Sequence, residues 1–274
     1  MRSVTDPSEV QEQTSAWRRE GLRVGFVPTM GFLHQGHCSL MDLARPRCDK
    51  LVASIFVNPM QFGPTEDLDR YPRDREGDSA KCAAHGVDLL FMPERLYPPG
   101  FSTRVTVSGL TEGLCGGTRE GHFEGVTTVV ARLFGLVQPH LAVFGEKDYQ
   151  QLQVIRRMVR DLAMPVEVAG GPLIRDSDGL AMSSRNAYLS PEQRAQGLSL
   201  HRALFAMREA VRSGTRDLPT LLALGRSLLT VDSVDYLQVV DAEDLRPLTR
   251  LEGSGRALVA GRVGATRLID NVGL

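Results

Sequence analysis

Five short apolar runs alternate with helical patterns over the first two-thirds of the chain. That alternation is what most limits the folds open to it. The runs are 22–28, 51–57 (LVASIFV), 87–92 (VDLLFM), 104–107 and 141–145 (LAVFG). Helical patterns occupy 37–45, about 74–85, 123–137 and 148–162. A strand that is apolar almost throughout is covered on both faces, and alternation with helices predicts a parallel sheet with helices above and below it. The period is clearest in 148–162, where Leu152, Ile155, Met158, Val159 and Leu162 form one stripe. Met164-Pro165 then ends the pattern.

The character changes after about residue 175. Arg175-Asp176-Ser177-Asp178-Gly179-Leu180 is polar and turn-rich. Ser190-Pro191-Glu192-Gln193 opens a helix, with serine at the cap, proline first and an acid in the first turn. A second helix is expected near 217–229, and strands at 235–241, 256–262 and 266–270. The expectation is an α/β domain over 1–175 and a smaller α+β domain over 176–274. The 274 residues suffice for one large domain or two smaller ones.

Composition narrows the function classes. Hydrophobic content of 42% and charged content of 24% are ordinary for a globular chain. A formal net charge of −1 gives no basic field for nucleic acid and no polybasic tail for a membrane. No run approaches a membrane span and the N-terminus lacks a signal-peptide core, so a cytoplasmic protein is expected. Cys38, Cys48, Cys82 and Cys115 form no C-x-x-C pair and no metal spacing, which points to reduced, partly buried thiols. Cys38 as a nucleophile is the weaker reading, because its neighbours make a better phosphate site.

In an open parallel sheet, ligands bind beyond the carboxyl ends of the strands. Polar clusters fall at three such ends. The first is Pro28-Thr29-Met30-Gly31-Phe32-Leu33-His34-Gln35-Gly36-His37. It sets two histidines three apart at the mouth of a helix, where backbone N–H groups and the helix dipole favour phosphate. Neither the Walker pattern nor G-x-G-x-x-G is present, so histidine takes the place of the P-loop lysine. The second is Asn58-Pro59-Met60-Gln61-Phe62-Gly63, and the third Gly145-Glu146-Lys147-Asp148-Tyr149-Gln150-Gln151. Gln61 and Gln151 carry neutral amides able to hold a hydroxyl or a carboxylate, and Lys147 can neutralise phosphate charge. A fourth cluster, Met182-Ser183-Ser184-Arg185-Asn186, suits a mobile clamp over a triphosphate. Glu66-Asp67 fits either a Mg²⁺ site or a helix start. His122-Phe123-Glu124-Gly125 fits either an anion site or a capped turn. His85, His140 and His201 are read as structural.

Taken together, these motifs resemble the pantothenate synthetase (pantoate–β-alanine ligase) family over almost the whole chain. The resemblance is carried by Pro28-Thr29-Met30-Gly31 with His34 and Gly36-His37, then Ser54–Phe62, Tyr71-Pro72-Arg73 and Gly121–Val126. Phe144–Asp148, Gln151 and Met182–Asn186 complete it. One departure is Glu120, where the family usually has proline. The resemblance implies a Rossmann-like nucleotidyltransferase domain with a C-terminal lid. It implies ligation of pantoate to β-alanine through a pantoyl adenylate, with ATP and Mg²⁺, by a homodimer. It further implies that Met30, Gly31, Phe32, Leu33, His34, Gln35, Gly36 and His37 hold ATP, with Gly145, Glu146, Lys147, Asp148, Ile174, Met182, Ser183, Ser184 and Arg185. Pantoate would contact Gln61 and Gln151, and β-alanine Gln61. His37, His34, Lys147 and Arg185 would act in catalysis.

Three rival functions use a similar sheet. A plain nucleotidyltransferase would leave the nucleotide on its product instead of releasing AMP. A dinucleotide oxidoreductase would need the absent G-x-G-x-x-G. A nucleotide sensor would bind ATP and release no pyrophosphate.

Overall fold

The computed structural model describes all 274 residues. Its elements run β1 (Arg2–Val4), α1 (Pro7–Arg19), β2 (Val24–Thr29), α2 (Gln35–Ala44), β3 (Lys50–Ile55), α3 (Arg75–Ala84), β4 (Leu89–Phe91) and α4 (Leu114–Thr118). They continue through α5 (His122–Val137), β5 (Leu141–Gly145), α6 (Tyr149–Asp161), β6 (Glu167–Gly171), α7 (Pro191–Arg212), α8 (Leu218–Ser227), β7 (Ser233–Asp241), β8 (Gly255–Val263) and β9 (Thr266–Gly273). Two compact units result. The first comprises Met1–Ser108, Arg119–Glu146 and Val154–Pro172; the second comprises Gly109–Thr118, Lys147–Gln153 and Leu173–Leu274.

The first unit is the expected α/β sheet. Its six strands lie in the order β1-β4-β3-β2-β5-β6, all parallel. Strand β2 has β3 on one side and β5 on the other, so the order of strands reverses there. Such a reversal opens a crevice beyond the strand ends. Alternation along the strands sends side chains to two covered faces. Val27, Leu51, Ala53, Leu90, Leu141 and Val143 pack with Leu40, Met41 and Ala44 of α2 and Cys82 of α3. On the other face Phe26 and Phe144 meet Phe134 of α5 edge to face, at centroid distances of 6.4 and 6.3 Å. This double cover is why these strands read as unbroken apolar runs.

Two local expectations are corrected, and two further features carry no expectation from the sequence. Residues 104–107 form no strand. The N–H of Val105 donates to Thr128 Oγ1 at 3.0 Å and its carbonyl accepts from Thr127 Oγ1, so hydroxyls of α5 satisfy the backbone instead of a neighbouring strand. Leu162 is 53% exposed and off the buried stripe, because α6 ends at Asp161 and Ala163 then takes φ 48°. Strand β6 has no apolar run in its sequence, yet it pairs along its whole length with β5. The N-terminal pair β1 and α1 went unread; β1 pairs with β4, and Asp6 caps α1.

The second unit holds an antiparallel sheet, β7-β8-β9. Its core joins Leu200, Leu204, Met207 and Val211 of α7, Leu221 of α8, and Leu237, Val239, Ala257, Val259 and Leu268 of the sheet. The expected start of α7 is a reciprocal capping box. Gln193 N donates to Ser190 Oγ at 3.2 Å, and Ser190 N donates to Gln193 Oε1 at 3.0 Å.

Candidate active site

The turn after β2 is built before its histidines are placed. Gly31 has φ 86°, and a Cβ there would lie 2.9 Å from Ile55 Cγ2 and 3.1 Å from Asp78 Oδ2. Phe32 follows at φ 49°, a left-handed conformation that costs a non-glycine residue about 1–2 kcal/mol. The opposing force comes from Asp78 on α3, which is 1% exposed. Its Oδ2 accepts from Phe32 N at 2.7 Å and its Oδ1 from Leu33 N at 2.6 Å. Burial pushes the Asp78 carboxyl up from its ordinary value, against the pull of those two N–H groups. Charge-assisted bonds of this kind are the stronger sort, so the turn is held in spite of its strain. Sequence reasoning did not find Asp78. Its one signal was an acid four residues before buried Cys82, on the covered face of α3.

Helix α2 then begins on an unusual cap. His34 is the N-cap residue, and its Nδ1 accepts from Gly36 N at 3.1 Å. His37 Nδ1 accepts from His34 N at 3.2 Å. The ring centroids are 4.1 Å apart. An Nδ1 that accepts from a backbone N–H carries no proton, so in each neutral ring the proton sits on Nε2. The cap thus orients both imidazoles as Nε2–H donors. It also engages N–H groups that the sequence reading had offered directly to phosphate. Cys38, one residue on, is 3% exposed and its thiol is pushed up by burial, which suits packing and not nucleophilic attack.

Gln61 lies in a short 3₁₀ turn, Pro59–Gln61, capped by Asn58. Its backbone carbonyl accepts from His122 Nδ1 at 2.8 Å and from Arg119 Nη2 at 3.3 Å. His122 Nδ1 is therefore the protonated nitrogen, and its Nε2 accepts from Arg119 Nη1 at 2.9 Å. Glu66 takes the rest of the guanidinium in a fork, Nε to Oε1 and Nη2 to Oε2, both 2.7 Å. Burial works to raise the Glu66 carboxyl, but the bonds and charge of Arg119 outweigh it and hold it at about 2. Glu66 is thus an ion-pair partner rather than a helix start. His122 opens α5, and its ring clamps the Gln61 carbonyl. Helix and turn also meet backbone to backbone: a Cβ on Gly125 would lie 2.2 Å from the Met60 carbonyl oxygen.

The second unit carries the other predicted residues. Lys147 Nζ lies 3.6 Å from Asp148 Oδ2, and its carbonyl accepts from Asn271 Nδ2 at 2.9 Å. Gln150 is 4% exposed and fully committed, accepting from Cys115 N and donating to the carbonyls of Leu110 and Gly113, all at 2.9 Å. Gln151 beside it is half-buried and outside that set. The carbonyl of Ile174 accepts from Met182 N at 3.0 Å, closing a turn. A buried fork from Arg175 to Asp270, at 2.7 and 2.8 Å, anchors that turn, and Arg194 adds bonds to Asp176 and Asp178. The segment 182–186 leads into a 3₁₀ turn, Ser184–Tyr188, which Ser183 caps: its Oγ accepts from Arg185 N at 3.3 Å.

In the first unit, then, the structure brings His34 beside His37, and Gln61 Nε2 within 3.2 Å of Met30 Sδ. Leu33 is buried, while Gln35 is exposed. Gly145 ends β5, and Glu146 starts the 3₁₀ turn that leads to Lys147. His140 accepts from Val24 N at 3.0 Å, and His85 lies 2.6 Å from Asp42. No group of three or more histidine, cysteine, aspartate or glutamate side chains is placed to hold a metal ion.

Residues 2–273 match the family model for pantoate-beta-alanine ligase. The chain is 51% identical over 276 residues to the pantothenate synthetase of Trichlorobacter lovleyi, covering 99% of this chain and 98% of that one. It superposes on the crystal structure of pantothenate synthetase from Thermus thermophilus with a TM-score of 0.94 at 53% identity, over 99% of both chains. A pantoate-beta-alanine ligase from Francisella tularensis, crystallised with beta-gamma ATP and beta-alanine, aligns with a TM-score of 0.78 at 30% identity, over 99% of this chain and 97% of that one. No helix is long and apolar enough to cross a membrane.

Proposed function

Because the chain belongs to the pantoate–β-alanine ligase family, we propose that it joins pantoate to β-alanine in two steps, through an enzyme-bound pantoyl adenylate. The full-length family match carries the overall reaction. The capped histidine pair supports the route. In the first step a pantoate carboxylate oxygen attacks the α-phosphorus of ATP, the bond to the β-phosphate oxygen breaks, and pyrophosphate leaves. In the second step the neutral β-alanine amine attacks the acyl carbon, the C–N bond forms as the bond to the AMP oxygen breaks, AMP leaves, and the nitrogen loses one proton to solvent.

The first transition state gathers negative charge on phosphate oxygens. Two Nε2–H donors already oriented by backbone bonds need no reorganisation to meet it. Lys147, Ser183, Ser184 and Arg185 are assigned to the same polyphosphate, with Met30–His37, Gly145–Asp148 and the Ile174 backbone forming the ATP site. Gln61 and Gln151 take pantoate, and Gln61 also serves β-alanine. The segment 182–186 shields the mixed anhydride from water. The acids do not form a cage for Mg²⁺, since Glu66 is spent on Arg119. Mg²⁺ would enter with its substrate as Mg·ATP and would supply electrostatic stabilisation of the charge gathering on the phosphate oxygens, beside His34, His37, Lys147 and Arg185. We further propose a cytoplasmic homodimer, the C-terminal unit serving as its lid.

Pantoate and Mg·ATP without β-alanine should drive exchange of labelled pyrophosphate into ATP, and β-alanine should then yield AMP. Exchange that strictly requires β-alanine would replace the adenylate with a concerted route.

A further inference from the structure

Asn58, 1% exposed, settles which end of the Gln61 amide faces it and which end faces Met30. Asn58 Nδ2 lies 3.0 Å from the carbonyl of Gly125, which can only accept. Asn58 Oδ1 lies 3.3 Å from Met60 N, which can only donate. Two backbone groups thus fix the Asn58 amide with no choice of flip. Its Nδ2 is also 3.1 Å from the Gln61 side chain, so the atom facing it must be Oε1. The amino end of Gln61 consequently points the other way, to Met30 Sδ at 3.2 Å. A thioether is a weak acceptor and yields easily to a stronger one.

A second donor completes the lock. Tyr97 donates its hydroxyl to Asn58 Oδ1 at 2.8 Å. Burial pushes that hydroxyl up to about 12, so it remains a donor through the working range. Its ring packs on Phe56 and Phe101, at centroid distances of 6.1 and 4.8 Å, which hold the hydroxyl in place.

We propose that Tyr97 is a positioning residue for substrate recognition: through Asn58 it holds the Gln61 amide with its N–H groups presented, so that Gln61 reads an oxygen acceptor of the substrate and never a donor. The inference rests on the pantoate pocket assigned above. Pantoate supplies such acceptors in its carboxylate and hydroxyl oxygens. An amide turned the other way would set a carbonyl oxygen against the carboxylate and repel it.

The test uses the full-length enzyme and compares Tyr97→Phe, Gln61→Ala and Gln61→Glu with wild type by pantoate KM, ATP KM, kcat and thermal melting. Tyr97→Phe keeps the ring and removes one buried bond. It should raise the pantoate KM about tenfold while ATP KM and kcat move less than about twofold. Glutamate at 61 offers only acceptors at neutral pH, so Gln61→Glu should use pantoate worse than Gln61→Ala. An unchanged pantoate KM in Tyr97→Phe, or equal rises for both substrates, overturns the positioning role. Gln61→Glu matching or exceeding Gln61→Ala overturns the donor polarity, even where Tyr97→Phe folds poorly. A wild-type enzyme that forms no AMP when pantoate, β-alanine and Mg·ATP are all present overturns the proposed function on which the pocket rests, and is told apart by that.

Discussion

Replacing Glu66 by glutamine removes one charge from the clamp behind Gln61 and changes little else. The carboxylate accepts two 2.7 Å bonds from Arg119, and the two side chains retain 20% and 15% exposure. Its carboxyl is held at about 2 against an ordinary 4.5. At about 1.4 kcal/mol per pH unit, that interval corresponds to on the order of 3 kcal/mol favouring the ionised form in the folded chain. Residual exposure screens the pair, so about 2 kcal/mol is the working figure. The variant should melt about 5 °C below wild type near neutral pH. The sign of the pH dependence is set by the lowered carboxyl. Its stabilisation is fully present above 4.5 and drains away as pH falls toward about 2. At about pH 3 more than half of the difference between wild type and variant should be gone. Thermal melts of both proteins, followed by circular dichroism from pH 7 down to pH 3, measure it. A gap that stays constant or widens in acid would refute the argument, because then the carboxylate charge is not what stabilises the turn.

Asp78→Asn should lower adenylate formation about tenfold or more: the asparagine can accept from one of the Phe32 and Leu33 N–H groups but presents its own N–H₂ to the other, loosening the turn that carries His34. Hydrogen exchange at residues 31–34 should rise with it, and unaltered protection there would count against the role. His37→Ala and Lys147→Ala should each cut the rate of adenylate formation by on the order of 10²-fold, while amine transfer onto pre-made pantoyl adenylate suffers less. Single-turnover kinetics of each half-reaction decides it, and equal losses in both halves would falsify the assignment.

How far the molecule could be read in advance depended on the range of the forces involved. Strands β2, β3 and β5 were legible because both of their faces are covered and each residue announces it. Strand β6, with Glu167, Gly170 and Gly171, carries no such signal; its place comes from pairing with β5. Segment 104–107 has the composition of a strand but finds its partners in Thr127 and Thr128. The histidine pair was legible as a helix mouth, since glycine, histidine and a following apolar period sit together. Its capping role was not, because imidazole is seldom the cap and the bonds depend on ring orientation. Asp78 and Arg119 were beyond reach for a simpler reason: they act on partners 46 and 53 residues away in the chain. Tyr97 acts through Asn58, 39 residues away, and nothing local marks it.

The contact at Gly125 has a bearing on how such a chain can diverge. Where α5 meets the turn at Met60 and Gln61, main chain touches main chain, and the spacing is fixed by peptide dimensions. Side chains elsewhere on α5 can be exchanged, and the apolar layer beneath can be repacked, without raising or lowering the Gln61 carbonyl relative to the helix. The turn that carries Gln61 is thereby insulated from drift in its surroundings. That freedom is concentrated into a single restriction, since at position 125 even one added methyl group has nowhere to go.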